Sequence, residues 1–218
     1  MYQKETRSIR SQFMRQLQEC QDDVLRMGAL VEHSCWLAHK ALIERDLSAV
    51  DELTRQDEQV DVYYRQIEVN CIRMLALQSP VASDLRLIGT LMQMVRDLER
   101  IGDYAEELGE VALKLLPYPP LPYIQDLDQM STVCRSMLAM SLSALTDLDA
   151  ESGRLMNITD DEVDACYARV YENLAQSTVQ GSVEPLLLVT LAIRALERMA
   201  DHATNIGKRI SYIVTGQR

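Results

Sequence analysis

Glycine and proline are scarce in this chain: there are eight Gly and six Pro in 218 residues, and four of the Pro fall in one run, Pro117 to Pro122. So few turn-forming residues imply few, long elements. Aromatic residues reach only 5%, while Leu, Ala and Met abound, which favours helix over strand. No excess of basic charge exists to follow a nucleic-acid backbone. The net charge is −11, which argues against direct DNA or RNA binding. No apolar run reaches the ~18 residues of a transmembrane helix, and no signal-peptide pattern opens the chain. The five cysteines, Cys20, Cys35, Cys71, Cys134 and Cys166, are odd in number and form no C-x-x-C pair. They read as small core hydrophobes of a cytoplasmic, reducing location. The one basic stretch, Lys4, Arg7, Arg10 and Arg15 against Glu5, reads as a solvated helix face, with contact to an anionic membrane or partner as the alternative.

What is present is apolar periodicity near 3.5. Ile9, Phe13, Leu17, Cys20, Val24, Met27, Val31, Ser34, Ala38 and Ala41 mark a first long helix. Asp46 or Ser48 then offers a cap. Val50, Leu53, Asp57, Val60, Tyr64, Ile67, Cys71 and Met74 mark a second helix, stopped at Gln78–Pro80. A third runs on Leu87, Leu91, Met94, Leu98, Ile101, Ala105, Leu108, Ala112 and Leu115. Pro117 to Pro122 cannot be helical and forms the clearest boundary. Beyond it a fourth helix carries Leu127, Met130, Cys134, Met137, Ser141 and Leu148, broken near Glu151–Gly153. A fifth carries Asp160, Val163, Tyr167, Val170 and Leu174. Thr159 and Glu162 form a capping box that would start it late. A sixth carries Val189, Ile193, Leu196, Met199, Ala203, Ile206, Ile210 and Ile213.

The two halves resemble each other. RDLERIGDYAEELG from Arg96 returns as RALERMADHATNIG from Arg194, and DEQVDVYYRQIEVN from Asp57 returns as DDEVDACYARVYEN from Asp160. Alignment of the halves would start the fifth helix near Glu151, earlier than the capping box does. The expected fold is all-α: six helices, as two antiparallel three-helix units from an internal duplication. Residues 1–116 and 123–218 are the units and 117–122 the linker.

The duplicated acids have a geometry. In an antiparallel hairpin, residues equally far from the turn lie side by side. Asp57 and Asp103 are equidistant from Pro80, as are Asp61 and Glu99. Asp160 and Asp201, and Asp164 and Glu197, are equidistant from the Gln180–Gly181 turn. Residues i and i+4 share a helix face, so each half brings four carboxylates to one level. Unneutralised carboxylates at an interior seam cost several kcal/mol each. Two agents could neutralise them. Arg96, Arg100, Arg194 and Arg198 flank the motif acids and could form a metal-free salt-bridge surface. Alternatively, an oxygen-only donor set suits a hard cation. A di-metal enzyme or metal store of the ferritin-like kind would need Glu-x-x-His, which the chain lacks. His33 and His39 have no helical partner and His202 points off the acid face, so all three read as structural or surface residues. No nucleophile elbow, phosphate loop or dinucleotide fingerprint appears.

SDLRLIGTLMQMVRDLERIGDYAEELG and ALERMADHATNIGKRISYIVTG resemble the PhoU family of bacterial phosphate-signalling regulators, and the match covers nearly the whole chain. The resemblance implies two pseudo-symmetric three-helix bundles. It implies metal ions at the acidic motifs, carried over to Asp57, Asp61, Glu99, Asp103, Asp160, Asp164, Glu197 and Asp201. Multinuclear sites with iron are implied, with Mg, Mn or Zn as alternatives. Tyr104 departs from the family pattern, standing where the second half has His202. The implied role is a non-enzymatic, cytoplasmic, homodimeric negative regulator of phosphate homeostasis. It would link the ATPase subunit of a phosphate ABC transporter to a sensor histidine kinase and its response regulator in two-component signalling. It would touch the membrane only through these partners.

Overall fold

The computed structural model describes residues 2–78, 80–178 and 181–217, with side chains described from Arg10 onward except at 152–154. The basic stretch is therefore described at Arg10 and Arg15 only. The chain forms α1 (Tyr2–Ile43), a 3₁₀ turn (Leu47–Ala49), α2 (Val50–Gln78), α3 (Ala82–Leu115), α4 (Ile124–Asp147), α5 (Ser152–Ala175) and α6 (Glu184–Thr215). No strand occurs among the described residues.

Local chemistry sets the corners. Asp46 is the cap, its carboxylate accepting from the Ser48 amide at 3.1 Å and the Ser48 hydroxyl at 2.6 Å. Arg45 takes a left-handed φ of 58°, and its guanidinium donates to the carbonyls of Leu116 and Tyr118 at 2.6 and 3.0 Å. That ties the α1–α2 corner to the Pro-rich linker. Pro80 lies between α2 and α3, where its missing N–H breaks no helical bond. Gly181 sits in the α5–α6 connection with a φ of 99°, a left-handed conformation that favours glycine. Gln180, the other half of the expected turn, lies outside the described residues.

One boundary differs from the sequence reading, and the start of α5, open there between two positions, falls at Ser152, where alignment of the halves puts it and the capping box does not. The fourth helix stops before Glu151–Gly153: Leu148, in a left-handed conformation with φ 51°, caps α4 through its amide to the Ala144 carbonyl. Gly153 lies within the first turn of α5. Thr159 caps nothing, because α5 has already begun; its hydroxyl donates to the Leu155 carbonyl one turn back, at 3.2 Å. The reason is Met156. It is fully buried and stands one heptad before Val163, so the apolar seam, and the helix with it, extends upstream.

Within each half the three helices pack on one another, and α3 on α6 and α1 on α4 join the halves. The linker thus separates two units that share one hydrophobic core. α3 and α6 form the central pair. Leu188, Ala192, Leu196, Met199, Ala203, Ile206 and Ile210 line the buried face of α6 at spacings of three and four. Each large apolar side chain so buried stabilises the fold by about 1.5–3 kcal/mol. Gly28 lets α1 approach α4, since a Cβ there would stand 2.3 Å from a Leu142 methyl. All five cysteines are reduced and buried.

Candidate metal centre

The hairpin register expected from the turns is realised. On α3, Gly102 faces Val60 of α2 and Gly109 faces Leu53, pairs nearly equidistant from Pro80. This register sets Asp57 and Asp61 against Glu99 and Asp103. Asp57 is half-buried and its carboxyl is pushed up to about 6, first by desolvation and then by the charges of Glu106, Asp103, Asp61 and Glu58. Burial and the neighbouring acids also raise Glu99 and Asp103, with Arg100 opposing. The second half repeats the arrangement between α5 and α6. Asp160 is pushed up to about 6 by burial and then by Asp164 and Asp201. Glu197 is raised by burial, against the pull of Arg194 and Arg198. Each foursome is therefore close enough for mutual repulsion, as the spacing predicts.

Arginines meet part of this charge. Arg100 pairs with Asp103 at 2.7 Å and Arg65 with Asp61 at 3.5 Å. Arg194 pairs with Glu197 at 3.0 Å and Arg198 with Asp201 at 3.3 Å. All are partners from the acid's own helix, on its solvent side. Among the described residues no arginine pairs with Asp57 or Asp160, the two seam acids with the largest shifts. The donor set is one of oxygens on two antiparallel helices, which fits a hard cation. Beside Asp160, the buried Thr204 hydroxyl faces the carboxylate, favouring its charged form against the effect of burial, and supplies a further oxygen. Among the described residues, no three Asp, Glu, His or Cys side chains already share a point from which a metal could be held.

Two differences between the halves bear on the foursomes and on the contact between them. Glu106, which the sequence reading missed, is the strongest charge acting on Asp57, and its counterpart in the second half is Thr204. The signal was available, because Glu106 lies one heptad after Glu99 on the same face. Tyr104 and His202 are counterparts that meet each other, ring centroids 6.0 Å apart, on the pseudo-symmetry axis between α3 and α6. His202 bonds through Nδ1 to Asp97 at 2.9 Å, and Arg209 donates through Nε to the same carboxylate at 2.7 Å. Asp97, only 4% exposed, was also missed; an acid beside Leu98 in the α3 seam was its only trace. His39 bonds Ser131, and His33 pairs with Glu52 and stacks on Trp36.

Comparison with known proteins matches residues 24–112 and 127–210 to the PhoU domain. A phosphate-specific transport system accessory protein PhoU homolog from Synechocystis sp. is 51% identical over 96% of this chain and 94% of its own length. The homolog from Pseudomonas putida is 35% identical over 97% and 84%. Among solved structures, PhoU from Pseudomonas aeruginosa superposes with a TM-score of 0.90 at 31% identity, covering 94% of this chain and all of that one. The phosphate transport system regulatory protein PhoU from Streptococcus pneumoniae gives 0.85 at 29% identity, over 94% and 98%.

Proposed function

The chain belongs to the PhoU family, and from that premise we propose that it is an accessory protein of a phosphate-specific transport system that regulates phosphate homeostasis. In this reading it is a cytoplasmic homodimer that binds the ATPase subunit of the transporter and a sensor histidine kinase, restraining uptake and the starvation response when phosphate is plentiful. The names of its relatives, accessory and regulatory proteins, support this role. So does a chain with no nucleophile–base constellation in its sequence. No described helix is long and apolar enough to cross a membrane, which suits contact with the membrane through partners.

The observation that carries the chemical part is the pair of carboxylate foursomes whose seam members, Asp57 and Asp160, have no arginine partner among the described residues. We assign Asp57, Asp61, Glu99 and Asp103 to one metal ion or cluster, and Asp160, Asp164, Glu197 and Asp201 to another. Bound metal would supply positive charge between two helices and keep open positions for water or an anionic ligand. The motif acids would close on it by turning from the solvent-side arginines. Iron is the leading candidate, with Mn, Zn and Mg as alternatives. Loading should raise stability by linkage.

The arginine pairs favour one rival reading, a metal-free interaction module. Elemental analysis of the purified protein separates the two. A protein without metal, unstabilised by Fe, Mn, Zn or Mg, establishes the rival. The regulatory role has its own test, because deleting the gene should derepress phosphate-starvation genes in rich phosphate. Normal repression in a strain with no second copy would overturn it, whatever the metal result.

A further inference from the structure

A cavity of about 800 Å³ opens between the start of α3 and the end of α6, closed on one side by the α4–α5 corner at Ala150. Among the described residues its charged lining is all cationic: Arg86 from α3, and Lys208 and Arg209 from α6. That is unexpected in a chain of net charge −11. Arg209 is already balanced by Asp97 and held by Gln93. Arg86 is not: its Nε is buried without a hydrogen-bond partner, and among the described residues it makes no ion pair. Lys208 likewise has no carboxylate within ion-pair distance among the described residues, though its charge reaches Asp160. Thr90 and Asn205 add hydrogen-bonding groups, and Leu85 adds an apolar wall.

The internal duplication supplies a control. At the pseudo-symmetric end of the central helix pair the signs are reversed. The counterpart of Arg86 is Glu184, that of Lys208 is Glu110, and that of Asn205 is Glu107. Arg86 lies against Gly216, its guanidinium carbon 3.7 Å from where a Cβ would stand. Glu184 in the same way lies against Tyr118 of the Pro-rich linker, whose hydroxyl donates to it at 2.5 Å. The linker thus meets one end, and at the other the described residues frame a cationic cavity. A feature of packing alone would have been expected at both ends.

We propose that this cavity binds a small organic phosphate, with its phosphoryl group on Arg86 and Lys208 and its organic body against Leu85 and the helix stems. A guanidinium with a free buried Nε presents the planar fork that takes two oxygens of one anion. A second unpaired cation on another helix asks for more than a single negative charge. The volume lies within the range of cavities that enclose whole small-molecule ligands and far exceeds one inorganic anion. The site shares no ligand with the carboxylate foursomes and stands whether or not they hold metal.

The test is calorimetric titration of the full chain with AMP, ADP, ATP and inorganic phosphate, with thermal shift in parallel. At least one nucleotide should bind in a 1:1 ratio, more tightly than inorganic phosphate, and raise Tm. Arg86→Ala should weaken it by roughly tenfold or more, the value of one charge-assisted contact. Arg86→Glu, which copies the other end, should abolish it. Both variants should keep wild-type helicity and metal content, and Thr90→Leu, which copies Leu188, should block the cavity without changing charge. The proposal is overturned if no nucleotide binds below ~1 mM, if inorganic phosphate binds as tightly as the nucleotides, or if Arg86→Ala and Thr90→Leu both bind like wild type.

Discussion

At the residue scale, Asp57 and Asp160 make the largest contributions from the foursomes to the pH response of the metal-free protein. Both carboxyls are pushed from 3.8 to about 6, so the fold disfavours their charged forms. A group whose folded pKa lies above its unfolded value stabilises the fold below the unfolded pKa and loses that contribution as pH rises through the folded one. The chelator-treated protein should therefore lose stability between about pH 4 and pH 7 through these two groups. Comparing Tm across that range with the Asp57→Asn, Asp160→Asn double variant isolates the contribution. The variant should be the more stable at pH 7.5, and equal slopes in the two proteins would refute the assignment. A divalent cation should reverse the order, because the variant has lost one carboxylate ligand from each foursome and the wild type gains more from binding. Asp97 sits in the opposite situation, with two partners satisfied. Asp97→Ala strands Arg209 and His202 at the contact between the halves. It should cost roughly 2–3 kcal/mol in urea denaturation, below the value for a fully buried pair because Arg209 is partly exposed. Asp97→Asn keeps the shape and should cost less.

At the element scale, register carries the site. Lengthening the Pro80 turn by one residue adds a little loop entropy and leaves both helices facing as before. One Ala inserted after Leu91 instead turns everything beyond it by ~100°, carrying Leu98, Ile101, Glu99 and Asp103 off their faces. The turn insertion should shift Tm by a few degrees. The α3 insertion should destabilise the protein severely and lose the first foursome's share of bound metal. Equal tolerance of the two would mean that register does not matter. The same dependence explains what the sequence disclosed. Helix number, the linker and the face of each motif acid follow from periodicity and from distance to Pro80 or to the Gln180–Gly181 turn, all properties of the chain alone. The start of α5, open between the capping box at Thr159 and the alignment of the halves near Glu151, falls with the alignment, because the burial of Met156, a tertiary effect, outweighs the local pattern. The stop of α4 at Leu148 carries no glycine to announce it. The Asp97–Arg209–His202 cluster and the cationic cavity were not legible, since both arise where α3 meets α6, a pairing of helices from different halves.

At the scale of the whole molecule, duplication gives two sites on one frame and divergence makes them unequal. The second half lacks the carboxylate that Glu106 adds beside Asp57, having the neutral Thr204 in its place. A cation is bound more tightly where more negative charge surrounds it and more oxygens compete to replace water. The first foursome, a fivesome with Glu106, should load first and hold its metal longest. Glu99→Ala with Asp103→Ala should remove the tighter class and about half of the total metal. Glu197→Ala with Asp201→Ala should remove the weaker class and leave tight binding intact. Glu106→Thr, which copies the second half, should bring the two affinities together without changing the total bound at saturation. Chelator titration followed by elemental analysis of the three variants reads all of this. If the wild type binds in a single class and Glu106→Thr leaves every affinity unchanged, then Glu106 lies outside the coordination field. Tyr104 with His202, the Arg65 partner of Asp61 and the reach of Lys208 to Asp160 would then be the differences left to separate the two foursomes.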